Sequence, residues 1–465
     1  MKNHATAAEF DAALIARYDT TGPRYTSYPA ATSFHAGFGE AQLRDCAADS
    51  NDEPIPRPLS LYVHVPFCMS PCFYCGCNRI ITRDVRLAER YLASLYREIE
   101  MVAGMFDRDR QVVQLHFGGG TPNFLDARQM SELMDSLERH FAFARTPTRE
   151  FGIEIDPRYA DAAYIHALGA LGFNRMSVGI QDFDPQVQQA VNRIQSIEQT
   201  REVIDAARES GFRSVSVDLI YGLPKQTIDG FSRTLEQVAG LCPDRIAAYG
   251  YAHLPQLFKA QKQLDAHFLP DAATRLQLLG RALEMLGAAG YVYIGMDHFA
   301  RVDDELAKAQ RDGSLQRNFQ GYSTFGQCDI VGLGVSAISR IGNSYSQNAR
   351  ELPGYYAALD NGSLPVARGV VLNEDDLIRR ELIGELMCHG KLDIRGFAQR
   401  HRLKFPVYFA DSLTLLEPLK DDGLVELNNE KIAVTARGRL LLRNIAMCFD
   451  AYARSGTQVR HSRVI

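Results

Sequence analysis

Four cysteines in one short stretch are the residues of this sequence best suited to chemistry. They are Cys68, Cys72, Cys75 and Cys77, and the first three have the spacing C-x3-C-x2-C. Three thiolates on one tight loop can bind iron at three corners of a cubane cluster. The fourth iron then has no protein ligand, and an open coordination position is what a catalytic metal site needs. The spacing therefore predicts a [4Fe–4S] cluster whose open iron can chelate the amino and carboxylate groups of a methionine moiety.

Two alternatives remain for these thiols. A structural zinc site would need a further ligand, and His64 lies four residues before Cys68, although a histidine in a strand is more often packed or hydrogen-bonded. Cys77 could be a fourth cluster ligand, but a fully ligated cluster would have no open iron. The other five cysteines are scattered singly, which predicts small core residues and not a disulfide framework. They are Cys46, Cys242, Cys328, Cys388 and Cys448.

The elements that must position this loop follow from the periodicity of apolar residues. Short β-branched strands alternate with amphipathic helices, which favours a parallel sheet and a full or partial (β/α) barrel of the α/β class. The predicted strands are 59–65, 112–117, 151–155, 175–180, 214–221, 245–251 and 291–296. The predicted helices are 86–105, 127–141, 162–171, 197–209, 231–241 and 272–289.

Polar residues stand at or after the ends of several of these strands, and the fifth strand itself holds Asp218. In β/α barrels the chemistry gathers at the carboxyl ends of the strands. The residues concerned are the cysteine loop, the glycine-rich stretch 118–122, Glu154, Asp156, Gln181 and Asp218. This agreement between pattern and position is an independent indication of an enzyme.

Two regions lie outside the alternation. Residues 1–58 contain GPRYTSYP at 22–29, a turn-rich aromatic segment that predicts a non-helical arm over the barrel. From about 365 the pattern changes to helices near 374–389, 394–401 and 406–418, two short strands around Asn428, and a last helix near 436–455. The predicted domains are therefore an arm (1–58), a barrel (59–364) and a mainly helical, winged-helix-like unit (365–465).

Composition excludes several classes of function. Of the 465 residues, 46% are hydrophobic and 23% charged, and the net charge is -5, with no dense run of Lys and Arg for nucleic acid. The longest apolar runs are strand-sized, well short of the ~20 residues that a membrane helix needs. Residues 1–10 are polar, so we expect no secretory signal and a cytoplasmic location.

These motifs together carry a family resemblance. A C-x3-C-x2-C loop after a first strand, with an aromatic residue before Cys75, resembles the radical S-adenosylmethionine (SAM) superfamily. The narrower resemblance, from about residue 10 to 465, is to oxygen-independent coproporphyrinogen III oxidases. It rests on Cys77 and on the stretches 22–29, 116–122 (HFGGGTP), 154–158 (EIDPR), 177–183 (SVGIQDF), 218–224 (DLIYGLP) and 462–465 (SRVI).

The resemblance implies a ligand set. Cys68, Cys72 and Cys75 match the cluster ligands, and the family is understood to bind two SAM molecules. The residues implied for the first SAM are Tyr62, which is also implied in catalysis, and Gly119, Glu154 and Ile338. Those implied for the second are Tyr74, Gly120, Thr121, Gln181, Arg193, Asp218 and Ala252. The order Phe73-Tyr74 departs from the Tyr-Phe order of some relatives, which leaves the contact of Tyr74 open.

The chemistry of these residues is compatible with the assignments, but each residue also has a simpler structural interpretation. Glycines at a strand end let backbone amides approach a ligand, or merely form a tight turn. Arg193 is suited to hold a carboxylate, and Glu154 and Asp218 to accept from hydroxyls or an ammonium, yet each could be a surface ion pair. Tyr62 and Ile338 could be ordinary core residues.

The resemblance also implies a reaction. A 5′-deoxyadenosyl radical derived from SAM abstracts hydrogen from two propionate side chains of coproporphyrinogen III. Each then loses carbon dioxide and one electron to give a vinyl group, and the product is protoporphyrinogen IX. An external donor such as a flavodoxin supplies electrons to a monomeric enzyme.

The arm has two interpretations. Arg24 could meet a propionate, while Tyr25 or Tyr28 could pack on the tetrapyrrole; alternatively the arm merely closes the open side of the barrel. Two other functions remain for the chain, a radical SAM enzyme acting on another tetrapyrrole and a haem-binding chaperone without decarboxylase activity. Both are less compatible with Cys77 and the GPRYTSYP stretch.

Overall fold

The computed structural model describes residues 8–453. Some of the predictions fall outside these residues. They are the first seven residues of the predicted arm, the last residues of the predicted C-terminal unit with the end of its helix near 436–455, and the SRVI motif at 462–465.

A thirteen-stranded mixed sheet forms the framework. Six strands appear where the periodicity predicts them: β1 (Leu59–Val65), β2 (Gln111–Gly119), β3 (Glu150–Ile155), β4 (Arg175–Gln181), β5 (Ser214–Tyr221) and β6 (Arg245–Gly250). They pair in parallel in this order. The helices that connect or flank them are Arg86–Ala103, Ala127–His140, Ala162–Ala170, Pro185–Ala190, Ile197–Glu209, Ile228–Leu241 and Ala272–Ala288.

Six further strands extend the sheet at both ends. They are β7 (Tyr291–Gly295), β8 (His298–Arg301), β9 (Asp329–Leu333), β10 (Ile338–Ile341), β11 (Ser344–Asn348) and β12 (Val366–Val371). The spatial order is β7-β8-β6-β5-β4-β3-β2-β1-β9-β10-β11-β12, with the short strand Ala142–Phe143 beside β2. Among residues 8–453 the two ends of this path do not pair, so the barrel is partial, as predicted.

The strand predicted at 291–296 exists, but its predicted parallel pairing is wrong. β7 pairs antiparallel with β8, and β8 pairs antiparallel with β6. Met296 and Asp297 have φ of 43° and 74°, so the chain reverses in a tight turn at this point. A tight hairpin turn makes its two strands antiparallel. The periodicity of a single strand carries no information on that direction.

The C-terminal region has the predicted succession of helices and hairpin. Its helices are Glu374–His389, Ile394–Arg400, Phe405–Tyr408, Ala410–Asp421 and Leu442–Met447, and its strands are Lys391–Asp393, Val425–Leu427 and Lys431–Val434. The last helix is shorter than predicted, because a 3-10 turn at Gly438–Leu441 precedes it. The remaining elements are helices Ala12–Tyr18, Glu40–Asn51, Glu305–Asp312 and Leu352–Asp360, the hairpin Gln316–Asn318 and Gly321–Ser323, and the pair Phe67–Cys68 with Ile80–Ile81.

Two large apolar cores divide the molecule. One lies between the parallel strands and their helices, and it includes Leu43 and Ala47 of helix Glu40–Asn51. The other joins the C-terminal helices to Tyr25 and Tyr28 of the arm. The predicted arm thus packs partly on the barrel and partly on the C-terminal region, and the domain limits stay a prediction.

The scattered cysteines mostly meet expectation. Cys328, Cys388 and Cys448 are buried and Cys46 is half-buried, but Cys242 is exposed, so its prediction as a core residue is wrong. Cys242 directly follows helix Ile228–Leu241 in a left-handed conformation, which is typical of a residue that ends a helix, and it lies at the protein surface.

Within residues 8–453, no helix is both long and apolar enough to span a membrane.

Candidate active site

The cysteine loop leaves the carboxyl end of β1 and is fastened at both ends. Ile80 N donates to Pro66 O at 2.7 Å and Thr82 N donates to Cys68 O at 2.9 Å. In the middle, the backbone of Phe73 donates to Val191 O at 2.9 Å. These bonds hold the loop against the barrel before any ligand binds.

Each of the three predicted ligand sulfurs has a hydrogen-bond donor beside it. Thr121 Oγ1 lies 3.3 Å from Cys68 Sγ, Arg158 Nη2 lies 3.4 Å from Cys72 Sγ, and Cys77 N lies 3.4 Å from Cys75 Sγ. A donor at the sulfur favours the thiolate, which is the form that binds iron.

The three thiols differ in their electrostatic environment. The hydrogen bond from Cys77 lowers the pKa of Cys75, with Arg79 adding to the effect. Burial raises the pKa of Cys68 to about 11, so this thiol needs the metal to lose its proton. Arg79 also donates to Cys72 O and Cys75 O at 3.2 and 3.3 Å, and its charge faces the loop.

This donor set fits a cluster with three protein ligands. Three sulfurs with matching donors lie on one loop at the carboxyl ends of the strands, as a cubane with an open iron requires. In the part of the chain that the structure describes, no three His, Cys, Asp or Glu side chains are arranged to hold a single metal ion. In a cubane, each thiolate binds a different iron.

The glycine-rich stretch after β2 packs tightly against β1. A Cβ on Gly120 would lie 2.7 Å from the carbonyl carbon of Pro66, and one on Gly119 would lie 2.6 Å from the ring of His64. Gly119 also has φ of 117°. Packing alone thus demands both glycines, so their predicted contact with SAM stays a prediction.

Tyr62 and Glu154, both predicted near the first SAM, lie on neighbouring sides of His116. The rings of Tyr62 and His116 stack with centroids 6.1 Å apart, and His116 Nε2 lies 3.5 Å from Glu154 Oε1. The backbone of Ile338 lies next to the strand partner of Tyr62. That partner is Gly332, and a Cβ on Gly332 would lie 2.5 Å from Ile338 O.

His64 fixes the direction of the Tyr62 hydroxyl. His64 Nε2 lies 3.0 Å from Asn78 O, so this nitrogen carries the proton. His64 Nδ1 then accepts from Tyr62 Oη at 3.2 Å. Burial lowers the pKa of His64, which keeps the imidazole neutral. His64 was considered only as a further zinc ligand and His116 only as part of the HFGGGTP stretch, so neither was predicted to contact the cluster or SAM. Only the position of each on its strand could have indicated it.

Arg193 reaches the cysteine loop from the segment after β4. It lies 3.1 Å from Asp156 Oδ2, donates to Gly179 O at 2.6 Å, and its Nη1 lies 3.6 Å from Cys72 Sγ. The side chains of Arg193 and Asp156 are only 7% and 8% exposed, so the alternative of a surface ion pair is wrong for Arg193. Its Nε is buried without a partner among the described residues.

Asp218 and Gln181 lie near Arg193 on adjacent strands. Gly179 pairs with Asp218, and a Cβ on Gly179 would lie 2.9 Å from Arg193 Nη2 and 3.0 Å from Gln181 Nε2. Burial raises the pKa of Asp218 to about 7, and the charge of Glu154 adds to this, while the Ser177 hydroxyl donates to it at 3.2 Å.

Gln261, which sequence analysis missed, connects two predicted residues. Its amide nitrogen donates to Tyr74 O at 2.9 Å and to Ala252 O at 3.2 Å. It lies in a 3-10 turn without a motif, so no sequence signal marked it. Of the eleven predicted SAM-site residues, Tyr62 and Asp218 lie in the middle of β1 and β5, and Ile338 begins β10 beside β9. The others lie at, beside or beyond the carboxyl ends of β1–β4 and β6.

The aromatic arm is held by the barrel through Arg24 and by the C-terminal region through Tyr25 and Tyr28. Arg24 forms an ion pair with Asp297 and lies over the ring of Tyr249 at 5.7 Å. Tyr25 Oη donates to Asp450 Oδ2 at 2.9 Å, and the backbone of Ala451 donates to Tyr28 Oη at 3.1 Å. These contacts favour the interpretation of the arm as a segment that closes the open side of the barrel.

Comparison with known proteins agrees with this geometry. A model of the radical SAM superfamily matches residues 62–238, and a model of the HemN C-terminal domain matches residues 372–441. The oxygen-independent coproporphyrinogen III oxidase of Pseudomonas aeruginosa is 51% identical over 456 residues, which cover 98% of this chain and 99% of that protein. The chain belongs to the oxygen-independent coproporphyrinogen III oxidase family.

Other members support this membership over the same length. The Escherichia coli oxidase is 48% identical over 458 residues, covering 98% of this chain and 99% of that protein. The solved structure of coproporphyrinogen III oxidase from Escherichia coli, described as a radical SAM enzyme, superimposes with a TM-score of 0.91 and covers 96% of this chain and 100% of that one. The fold predicted for a member of this oxidase family is therefore confirmed.

Proposed function

We propose that the chain catalyses the oxygen-independent conversion of coproporphyrinogen III to protoporphyrinogen IX. Each of two propionate side chains gives a hydrogen atom to the 5′-deoxyadenosyl radical, then loses carbon dioxide and passes one electron to an external acceptor, and so becomes a vinyl group. The observation that carries the proposal is the three-thiol loop at the carboxyl ends of the strands, with a donor at each sulfur. The full-length relatives named as this oxidase favour it over an enzyme for another tetrapyrrole and over a haem-binding chaperone.

The cluster and SAM supply the radical chemistry. When bound, the [4Fe–4S] cluster delivers one electron to SAM, which gives a 5′-deoxyadenosyl radical for hydrogen abstraction. Cys68, Cys72 and Cys75 would hold the cluster. Cys77 would remain outside it and tune Cys75 through its hydrogen bond, which lowers the pKa of Cys75.

The first SAM would lie between β1 and β3. Glu154 is half-buried beside the strand ends, where its carboxylate can accept from an ammonium or a hydroxyl. The fixed Tyr62–His64 hydrogen bond would present a rigid ring to the ligand. Gly119 and Ile338 would offer backbone groups at the same place.

A second SAM would lie across β4 and β5. Arg193, held by Asp156 and by Gly179 O, would present its positive charge to a ligand carboxylate. Gln181 and Asp218 would contribute an amide and a carboxyl group, since the raised pKa of Asp218 leaves part of this group protonated near neutral pH. Tyr74, Gly120, Thr121 and Ala252 would complete the set.

The remaining chain would shield a reactive radical from water. The arm, anchored by Tyr25 to Asp450, would cover the open side of the partial barrel. We also propose an external one-electron donor such as a flavodoxin, a monomeric state and no nucleic-acid partner. A cytoplasmic location is proposed because the oxidation-prone cluster thiols need a reducing compartment.

Anaerobic turnover tests this function. The reconstituted protein would be given dithionite, SAM and coproporphyrinogen III, with a control lacking SAM. We expect SAM-dependent loss of two carboxyl groups together with formation of 5′-deoxyadenosine, followed by mass spectrometry. Formation of 5′-deoxyadenosine with an untouched porphyrinogen would contradict the substrate, and haem and other tetrapyrroles would then be tested.

A further inference from the structure

Glu98 is a buried acid that the proposed function does not use. It lies on helix Arg86–Ala103 and is only 1% exposed. Burial raises the pKa of Glu98 to about 7, and the groups that oppose this shift are three neutral hydrogen-bond donors, with no cation among them. A buried carboxylate is costly unless it is paired or fully hydrogen-bonded, so its presence here requires an explanation.

The three donors come from separate parts of the chain. Gly334 N donates to Glu98 Oε2 at 2.7 Å, and Tyr355 Oη donates to the same oxygen at 2.6 Å. Asn348 Nδ2 donates to Glu98 Oε1 at 2.6 Å and also to Gly334 O at 2.9 Å. A carboxylate accepts at both of its oxygens, whereas a glutamine amide of the same size accepts at only one. An acid is therefore the side chain that satisfies all three donors.

These bonds hold the turn 334–337, which joins β9 to β10. Gly334 has φ of 97°, so the chain leaves the extended conformation of β9 at this residue. The next amide, Val335 N, donates to Tyr91 Oη at 3.2 Å. Tyr91 and Glu98 are seven positions apart on one helix, and this spacing places them on the same face. One helix face thus satisfies the first two amides of the turn.

The turn packs against the strand end that carries the proposed first SAM site. A Cβ on Gly334 would lie 2.8 Å from His64 O, and Tyr91 Oη donates to that same oxygen at 2.6 Å. His64 in turn accepts from the hydroxyl of Tyr62 at 3.2 Å. At its other end the turn leads directly into Ile338. A shift of the turn would therefore displace both Tyr62 and Ile338, which are predicted contacts of the first SAM.

We propose that Glu98 is a positioning residue for the SAM that binds the cluster. Glu98 touches neither SAM nor the cluster, and it acts by fixing the turn 334–337 before SAM arrives. Without this acceptor the turn would have to become ordered when SAM binds, and the entropy of ordering would be subtracted from the affinity. The role toward SAM rests on the proposed function, whereas the fastening of the turn rests on the hydrogen bonds alone.

SAM binding at the cluster tests this role. Full-length protein is reconstituted anaerobically, the iron content of each variant is measured, and SAM is titrated against the electron paramagnetic resonance signal of the reduced cluster. Glu98→Gln replaces one accepting oxygen by an NH2 group that faces another donor, so we expect a dissociation constant about tenfold higher than that of the wild type. Tyr355→Phe removes one donor and keeps the carboxylate, so an increase of about threefold is expected.

A buried acid at the other end of β9 provides the matched control. Asp329 forms an ion pair with Arg110 at 2.7 Å, and both side chains are 1% exposed. Asp329 also accepts from Gly342 N, at the far end of β10, at 3.0 Å. Asp329→Asn should destabilise the protein because it leaves a buried cation unpaired, yet we expect SAM affinity to stay within about twofold of the wild type.

Hydrogen exchange in the cluster-loaded protein, measured before SAM is added, tests the fastening itself. Exchange of the peptide that spans 334–337 should be faster in Glu98→Gln and in Tyr355→Phe, because Gly334 N loses or shares a weakened acceptor. It should be unchanged in Asp329→Asn.

Several results would overturn the proposal. One is a folded, iron-loaded Glu98→Gln protein whose SAM affinity or exchange at 334–337 equals that of the wild type. Another is an equal loss of SAM affinity in Asp329→Asn, because general destabilisation would then explain the effect. If Glu98→Gln does not fold, unchanged SAM affinity in Tyr355→Phe is decisive against the proposal. A wild-type protein that binds SAM but leaves coproporphyrinogen III intact refutes the proposed function and does not alter this comparison of variants.

Discussion

Asp156 provides a sharp test of how the site is held together. Its carboxylate binds Arg158 through two nitrogens, at 3.0 and 2.7 Å, and Arg193 at 3.1 Å. Burial would raise the pKa of Asp156, but the two arginines more than offset it, so the pKa is lowered. Asp156→Asn keeps the size of the side chain and removes its charge. Two buried cations are then left facing each other beside Cys72.

The expected loss of stability follows from this geometry. Removing one partner of a buried ion pair costs about 3–5 kcal/mol, because an uncompensated charge remains. We therefore expect Asp156→Asn to lower the free energy of unfolding by about 3 kcal/mol or more, measured by urea unfolding under anaerobic conditions. The cluster absorbance should fall as well, since both arginines also lie beside Cys72 Sγ.

A matched control separates burial from charge. Asp360→Asn removes an Asp–Arg pair of similar length, 2.8 Å to Arg97, but both side chains are more than half exposed. Exposed pairs contribute about 0–1 kcal/mol. The contribution of Asp156 to the free energy of unfolding should also disappear in acid. Folding lowers the pKa of this carboxyl group, so its contribution is complete above its ordinary pKa and is lost as the pH falls through the pKa of the folded state. Equal losses in the two variants at neutral pH would refute the reasoning.

Three further predictions concern the same region. Cys75→Ser should abolish the cluster absorbance and SAM cleavage together, and full SAM cleavage in this variant would remove Cys75 from the ligand set. Gly120→Ala should destabilise the protein by about 1–3 kcal/mol or prevent cluster assembly, because the new Cβ would lie 2.7 Å from the carbonyl carbon of Pro66; unfolding and iron content measure this. Asp218 has a folded pKa of about 7, so wild-type stability should fall as the pH rises from 5 to 7, by up to about 2 kcal/mol. Asp218→Asn should lack this decline in urea unfolding at the two pH values, and an identical decline would show that Asp218 is not its source.

Sequence by itself determined the local features of this protein. The spacing of Cys68, Cys72 and Cys75 places three thiols on one loop whatever surrounds it. β1 and β5 begin and end at the predicted residues, and the other four parallel strands differ by only one or two residues at their ends, because alternation and β-branching act along a single strand. The carboxyl ends of parallel strands then bring the residues that follow them to one edge.

Only the tertiary structure decided which distant residues meet. The direction of β7 depends on its partner β8, and the link of Tyr74 to Ala252 depends on Gln261 in a loop without periodicity. Such contacts are long-range, and their energy depends on packing and burial that a local pattern does not contain.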